Sequence, residues 1–214
     1  MTHVDLSTVV RTYEALGYRY FTERYDLNIG AIRSADLASG KFNDIFFTFH
    51  RVDEIWNFYA GDCTTDPGLY YRDNPITPAG TAIMLPGQNR GAYIIGKHKS
   101  RYPALRQNKP IDFARVMSDQ WHDQNLLENL YGVVTPADGS SRGFNIERKV
   151  IGANIHRALE FVTIADVGKF SAACIVQPDP DQHRRFMALC RQQVREGKGN
   201  SFTFTLLAEN QLVK

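Results

Sequence analysis

Hydrophobic positions in the first part of the chain fall at helical spacing: Val10, Tyr13, Leu16, Tyr20 and Phe21 recur three or four residues apart. Asp5-Leu6-Ser7 stands in front of them, with side chains that can accept the free amides of a first turn. The spacing predicts an amphipathic helix over about 7–25, weakened only a little by Gly17. Over 27–58 the pattern changes to short alternating segments rich in Ile, Phe and Trp, broken at Ser39-Gly40 and Asp53, which reads as strands and turns. Gly and Pro then fall at short intervals, in Asp66-Pro67-Gly68, Asn74-Pro75, Thr77-Pro78-Ala79-Gly80 and Leu85-Pro86-Gly87. Each is turn chemistry, so strands at 81–85 and 91–95 must be short and tightly connected.

The stretch 104–141 is more polar and less periodic, with a short helix expected at 121–131 and a solvated loop at 136–141, together a surface insertion or lid. Asp179 is a cap residue, Pro180 occupies the first helical position and Gln182 the capping-box position. Phe186, Leu189, Cys190 and Val194 follow at helical spacing, so this helix runs to about Glu196 and stops at Gly197. The segment 201–207 alternates Phe and Thr and reads as a final strand with one face buried. The pattern as a whole is α+β and mainly β, with a helix near each end and no internal repeat.

Composition bounds the function. A chain of 214 residues, 43% hydrophobic and 22% charged, can bury its own core as one domain. Its 25 Lys and Arg against 23 Asp and Glu give a formal charge of +2, too small for a general nucleic-acid or membrane surface. The longest apolar runs fall far short of the roughly 20 residues of a membrane span, so no membrane insertion is expected. The start, Met1-Thr2-His3-Val4-Asp5, lacks the basic and apolar segments of a secretory signal, so the chain is expected to be made in the cytoplasm and delivered by another route. Cys63, Cys174 and Cys190 are odd in number, which leaves at least one free thiol. No zinc-ligand spacing, GxGxxG loop or Walker loop occurs, and no cofactor is expected.

Candidate chemistry centres on Asn154-Ile155-His156-Arg157 and Ser171-Ala172-Ala173-Cys174, an H-x14-S-x2-C arrangement. A cysteine attacks an acyl carbon as thiolate, and an imidazole supplies that state by taking its proton. Two adjacent antiparallel strands joined by a loop at 158–169 would bring His156 opposite Cys174. The ordinary reading of each residue alone is a small buried hydrophobe and a core or surface histidine. The spacing, with Ser171 in it, favours the chemical reading. His50, His122 and His183 have no such context and read as surface residues, and Cys63 and Cys190 as structural.

The arrangement H-x14-S-x-x-C resembles the signature of the L,D-transpeptidase catalytic (YkuD-like) domain. Thr64-Thr65-Asp66-Pro67-Gly68, the stretch from Pro78 to Gln88, Ile95-Gly96-Lys97-His98, Pro103-Ala104-Leu105 and Asn154-Ile155-His156-Arg157-Ala158 look like a branch of that superfamily found in phage and bacterial genomes. The resemblance covers roughly 28–207. It implies a β-sandwich or half-open barrel with flanking helices, a catalytic domain at 28–214 and a helical extension at 1–27. It also implies a peptidoglycan stem peptide as partner, with Cys174 as nucleophile and His156 as general base. The Arg157 carbonyl would orient the imidazole, and the Ala173 backbone N–H would serve the oxyanion. Ser171, His98, Lys97 and Asn154 would line the substrate. The family's His-Gly before the cysteine is Ala172-Ala173 here, and Val176 stands where an Arg or Asn is usual. Those departures keep a second reading open: a catalytically degenerate peptidoglycan-binding or virion-associated protein. A third, a cysteine protease, shares the dyad.

Overall fold

The computed structural model describes residues 4–37, 40–125, 128, 130 and 143–213. Helix α1 (Leu6–Ala15) starts where the Asp5 carboxylate accepts the Thr8 N–H at 2.8 Å. It stops well short of 25, because Gly17 at φ +68° lets the Tyr18 N–H turn back to the Tyr13 carbonyl at 2.8 Å. Gly17 therefore ends the helix, since a left-handed residue is the common way to satisfy a helix's last carbonyls. The apolar face of α1 places Val9 and Tyr13 against Ile32, Phe47, Phe49 and Leu207.

The segment 27–63 forms three strands, β1 (Asn28–Arg33), β2 (Asp44–Val52) and β3 (Ile55–Cys63). The β2–β3 hairpin turns at Asp53, which adopts φ +51°. Gly30 on β1 has no room for a side chain, since a Cβ would meet the Phe47 ring at 2.4 Å and the Thr205 carbonyl at 2.6 Å. After a short helix α2 (Leu69–Asp73) come β4 (Thr81–Met84), β5 (Gly87–His98), β6 (Tyr102–Gln107), β7 (Ile111–Val116) and β8 (Asn145–Lys149). The remaining strands are β9 (Ile155–Arg157), β10 (Ile175–Gln177) and β11 (Phe202–Ala208).

Eight strands make one sheet in the order β10-β9-β6-β5-β11-β1-β2-β3. Thr64, just past β3, exchanges backbone hydrogen bonds with Val176 on β10 at 2.9 and 3.0 Å, so the sheet is a nearly closed, barrel-like wall. Strands β4, β7 and β8 form a smaller sheet. Helix α3 (Pro180–Arg195) is capped by Asp179, which accepts the Asp181 N–H at 2.8 Å, and ends before Gly197 at φ +77°. Gln182 does not close a capping box, because its amide donates to the Asp62 carbonyl at 3.2 Å. Phe186, Met187 and Cys190 of α3 enter the main core with Phe202, Phe204 and Leu206 of β11.

The chain is thus mainly β with few helices, as its pattern reads. The final strand departs from expectation: it is buried on both faces, because it runs mid-sheet with α1 on one side and α3 on the other. His50 and His183 are buried rather than superficial. The expected loop at 136–141 lies outside the described residues; of the expected helix at 121–131, residues 121–125, 128 and 130 are described, a 3-10 turn at Gln120–His122 followed by helical residues at 124–125, 128 and 130. No helix among the described residues is long and apolar enough to cross a membrane.

Candidate active site

Strand register decides which side chains meet. Ile175 is level with Ile155, Ile155 with Leu105, and Leu105 with Ile95, and all four pack toward the main core. Residues at odd separation from these point the other way. That face collects Cys174 at the entry to β10, Asn154 and His156 around β9, Tyr102 on β6 and His98 on β5. The sequence motif residues come together here, but not by the expected pairing. β9 and β10 are parallel, not antiparallel, and His156 is level with Val176. Cys174 therefore lies beside Asn154, diagonal to His156, with about 8 Å between Cα atoms from strand spacing and rise.

Around Cys174 opens a cleft of about 420 Å³ lined by His98, Asn154, Gly152, Ala172 and Ala173, with Lys99, Arg115 and Lys169 as its cations and no carboxylate among the described residues. A neighbouring depression of about 410 Å³ is lined by Tyr102, His156 and Arg157. The wall between them is His98, Lys99, Lys169 and Phe170, which line both.

The orientation of His156 follows from its neighbours. Its Nδ1 lies 2.7 Å from the Arg157 carbonyl, which only accepts, so Nδ1 carries the proton and Nε2 the lone pair. Tyr102 Oη donates to the same carbonyl at 2.9 Å, and its ring carries the Arg157 guanidinium at 4.1 Å. Nε2 is buried without a hydrogen-bond partner among the described residues. Asn154 Oδ1 accepts the Gln107 N–H at 3.1 Å, which fixes the amide and turns its NH2 toward His98 Nδ1 at 3.4 Å. The His98 and His156 rings stack with centroids 3.8 Å apart and planes 24° apart.

Cys174 is half-buried, and its Sγ lies 3.7 Å from the Gly152 carbonyl. Desolvation pushes the thiol up to about 11, while the Asn154 backbone N–H and Lys99 pull it down. His156 is held down to about 3, by burial first and then by His98, against the pull of the Arg157 carbonyl. At neutral pH Cys174 is therefore a thiol and His156 a neutral imidazole. The backbone N–H groups of Ala173 and Cys174 have no acceptor among the described residues.

Two proposed substrate contacts do not reach the cleft. Ser171 is fully buried, and its hydroxyl donates to the Cys174 carbonyl at 2.8 Å while its own carbonyl accepts from Gly68 at 2.9 Å. It braces the turn that presents the cysteine. Lys97 alternates to the other face of β5 and lines neither depression. Sequence reasoning missed Tyr102 and Lys169, which carry no motif, and His183. The His183 ring meets Tyr102 edge-on at 6.4 Å, with Nε2 3.0 Å from the Pro103 carbonyl. Among the described residues no cluster of His, Cys, Asp and Glu is arranged to hold a metal ion. A scan against protein-family models, a search of curated proteins and a search of solved structures find no match.

Burial holds His98 and His183 down to about 4 and His156 to about 3, below the ordinary 6.5. Between these values the unfolded chain binds protons that the folded chain refuses, so stability falls as pH drops from 6.5 toward 4. Asp66, pushed up to about 7, and Asp44 and Asp26, both raised by burial, act in the opposite sense and offset part of that loss. Thermal unfolding is expected at progressively lower temperature across that window. A midpoint that stays level or rises from pH 6.5 to 4 would contradict the buried neutral histidines.

Proposed function

We propose that the chain is a cysteine acyl-transfer enzyme of L,D-transpeptidase type, acting on the stem peptide of peptidoglycan. The observation that carries the reading is one sheet face on which half-buried Cys174 lines a cation-lined cleft, diagonal to an imidazole that lines the neighbouring depression and whose Nδ1 is locked by the Arg157 carbonyl. The nearly closed, barrel-like sheet is compatible with the same reading. In the proposed reaction His156 Nε2 takes the Sγ proton as sulfur attacks the acyl carbon, forming a C–S bond and a tetrahedral oxyanion that the Ala173 and Cys174 N–H groups receive. Collapse breaks the C–N bond, and the leaving amine takes the proton from His156. The thioester then passes to an amine acceptor, giving a cross-link, or to water, giving hydrolysis. Lys99 and Lys169 would meet substrate carboxylates in place of Lys97.

One observation favours the degenerate, peptidoglycan-binding reading: thiol and imidazole open into different depressions, and the thiol is held protonated. One experiment separates the two. Incubation with purified muropeptides is expected to yield a thioester adduct on the wild-type chain by intact mass, with cross-linked or shortened stems in the digest. Cys174→Ala is expected to give neither. Binding to peptidoglycan by both proteins, with no adduct and no altered stem, would overturn the enzymatic reading, and cleavage of ordinary L-peptides alone would make the chain a protease.

A further inference from the structure

His98 is the one residue of the histidine cluster that lines the depressions of both Cys174 and His156. It is held from three sides. Asn154 donates to its Nδ1 at 3.4 Å, the Tyr102 ring lies 5.6 Å away at 40°, and the His156 ring stacks on it at 3.8 Å. Asn154 is itself fixed by the Gln107 N–H, so the tautomer of His98 is set: Nδ1 accepts and Nε2 carries the proton. In that state His98 offers no free lone pair to the thiol. Its flat face lies against the ring that must become imidazolium when sulfur attacks.

We propose, resting on the acyl-transfer reading above, that His98 is a positioning residue: it holds the His156 ring by stacking and allows His156 to take the thiol proton only while His98 itself is neutral. A cation is attracted to the face of a neutral aromatic ring, whereas two imidazoliums at this separation repel strongly. The two rings therefore titrate as a pair. The other charged or titratable groups around them are Lys99 and Arg101 in the β5–β6 turn, Arg106 and Tyr102 on β6, Arg157 on β9, Glu160 and Lys169 in the connection after it, Cys174 before β10 and His183 on α3. The cations Lys99 and Arg106 disfavour charge on His98, and Lys99 and His183 disfavour it on His156.

Stem-peptide turnover and an NMR titration of the imidazole Cε1–H resonances test this together. In His98→Ala, kcat is expected to fall tenfold or more with KM changed less than threefold, and His98→Phe, which returns a flat ring, is expected to recover most of that loss. In His98→Phe the His156 resonance is expected to titrate at least half a pH unit higher than in the wild type, because no second imidazolium competes. A rise in KM with kcat unchanged would make His98 a substrate contact instead. Wild-type rates in both variants with an unmoved His156 midpoint would reduce His98 to core packing and leave the acyl-transfer reading standing. If His98→Ala does not fold, the His156 midpoint in His98→Phe decides alone. No turnover by the wild-type chain would overturn both.

Discussion

Arg33→Met is expected to lower the free energy of unfolding by about 3–5 kcal/mol, the usual penalty for stripping a buried ionic network of one partner. Arg33 is buried at the end of β1, with Nε 2.9 Å from the Asp66 carboxylate and 2.8 Å from Thr65 Oγ1. Its remaining nitrogens donate to the Met84 and Thr65 carbonyls at 2.7 and 2.9 Å. Asp44, also buried, accepts the Ser34 and Thr65 amides and the Thr65 hydroxyl at 2.8, 2.6 and 2.8 Å. Two carboxylates thus share one buried site, and both are pushed upward, chiefly by burial, with Arg33 pulling them back. Without the guanidinium they rise further, and a raised carboxylate lends stability as pH falls through its folded value toward its unfolded one. The deficit of Arg33→Met should therefore be larger at pH 8 than at pH 5.5, and Asp66→Asn in the same chain should restore part of it. Urea unfolding at the two pH values measures this, and a loss under 1 kcal/mol at pH 8 would show that the network is not needed. The site has a stake in the result, since Thr65 and Asp66 directly follow the Thr64–Val176 bridge that closes the sheet beside Cys174.

That network shows where reading the sequence stops. Thr64-Thr65-Asp66-Pro67-Gly68 is visible as turn chemistry, because Pro and Gly fix local backbone geometry. Its role as the partner of Arg33, some thirty residues away, depends on the packing of β1 against the closing bridge. Local signals translate well: the Asp179-Pro180 start and Gly197 stop of α3 are caps, and a cap needs only its neighbours. Gly17 was legible as a weak helix residue yet acts as a terminator, since the choice depends on whether the following chain has somewhere to go. For the site, the spacing of His156 and Cys174 points to two adjacent strands but is silent on their direction. A connection of 17 residues, 158 to 174, can return the chain to a parallel neighbour as readily as to an antiparallel one. The parallel choice makes Asn154, not His156, the immediate neighbour of the thiol. The His98–His156 stack arises from the register of β5, β6 and β9, three strands drawn from distant parts of the sequence.

If the chain is the acyl-transfer enzyme proposed above, His156→Gln carries the largest expected effect on rate. The thiol is held up to about 11, so at pH 7 only about one molecule in ten thousand carries a thiolate without help. A positioned base removes that handicap by taking the proton during attack, a contribution of about 10²–10⁴ in rate. Glutamine keeps a polar side chain of similar reach but cannot accept a proton, so kcat/KM at pH 7 is expected to fall about 10³-fold. The residual reaction must then draw on the free thiolate, and its rate should climb about tenfold per pH unit from 7 to 10, as the thiolate fraction does. The wild-type rate should change far less over that interval, because His156 is already neutral there. Stem-peptide turnover across pH 7–10, beside Cys174→Ala as the zero, reads both slopes. A loss of less than tenfold at pH 7, or a His156→Gln profile parallel to the wild type, would mean that another group takes the sulfur's proton. The steep alkaline rise belongs to a thiol without its base and is a stronger mark of that role than loss of activity alone, since a structural histidine could also be lost at the expense of rate but would not leave the thiolate concentration in control.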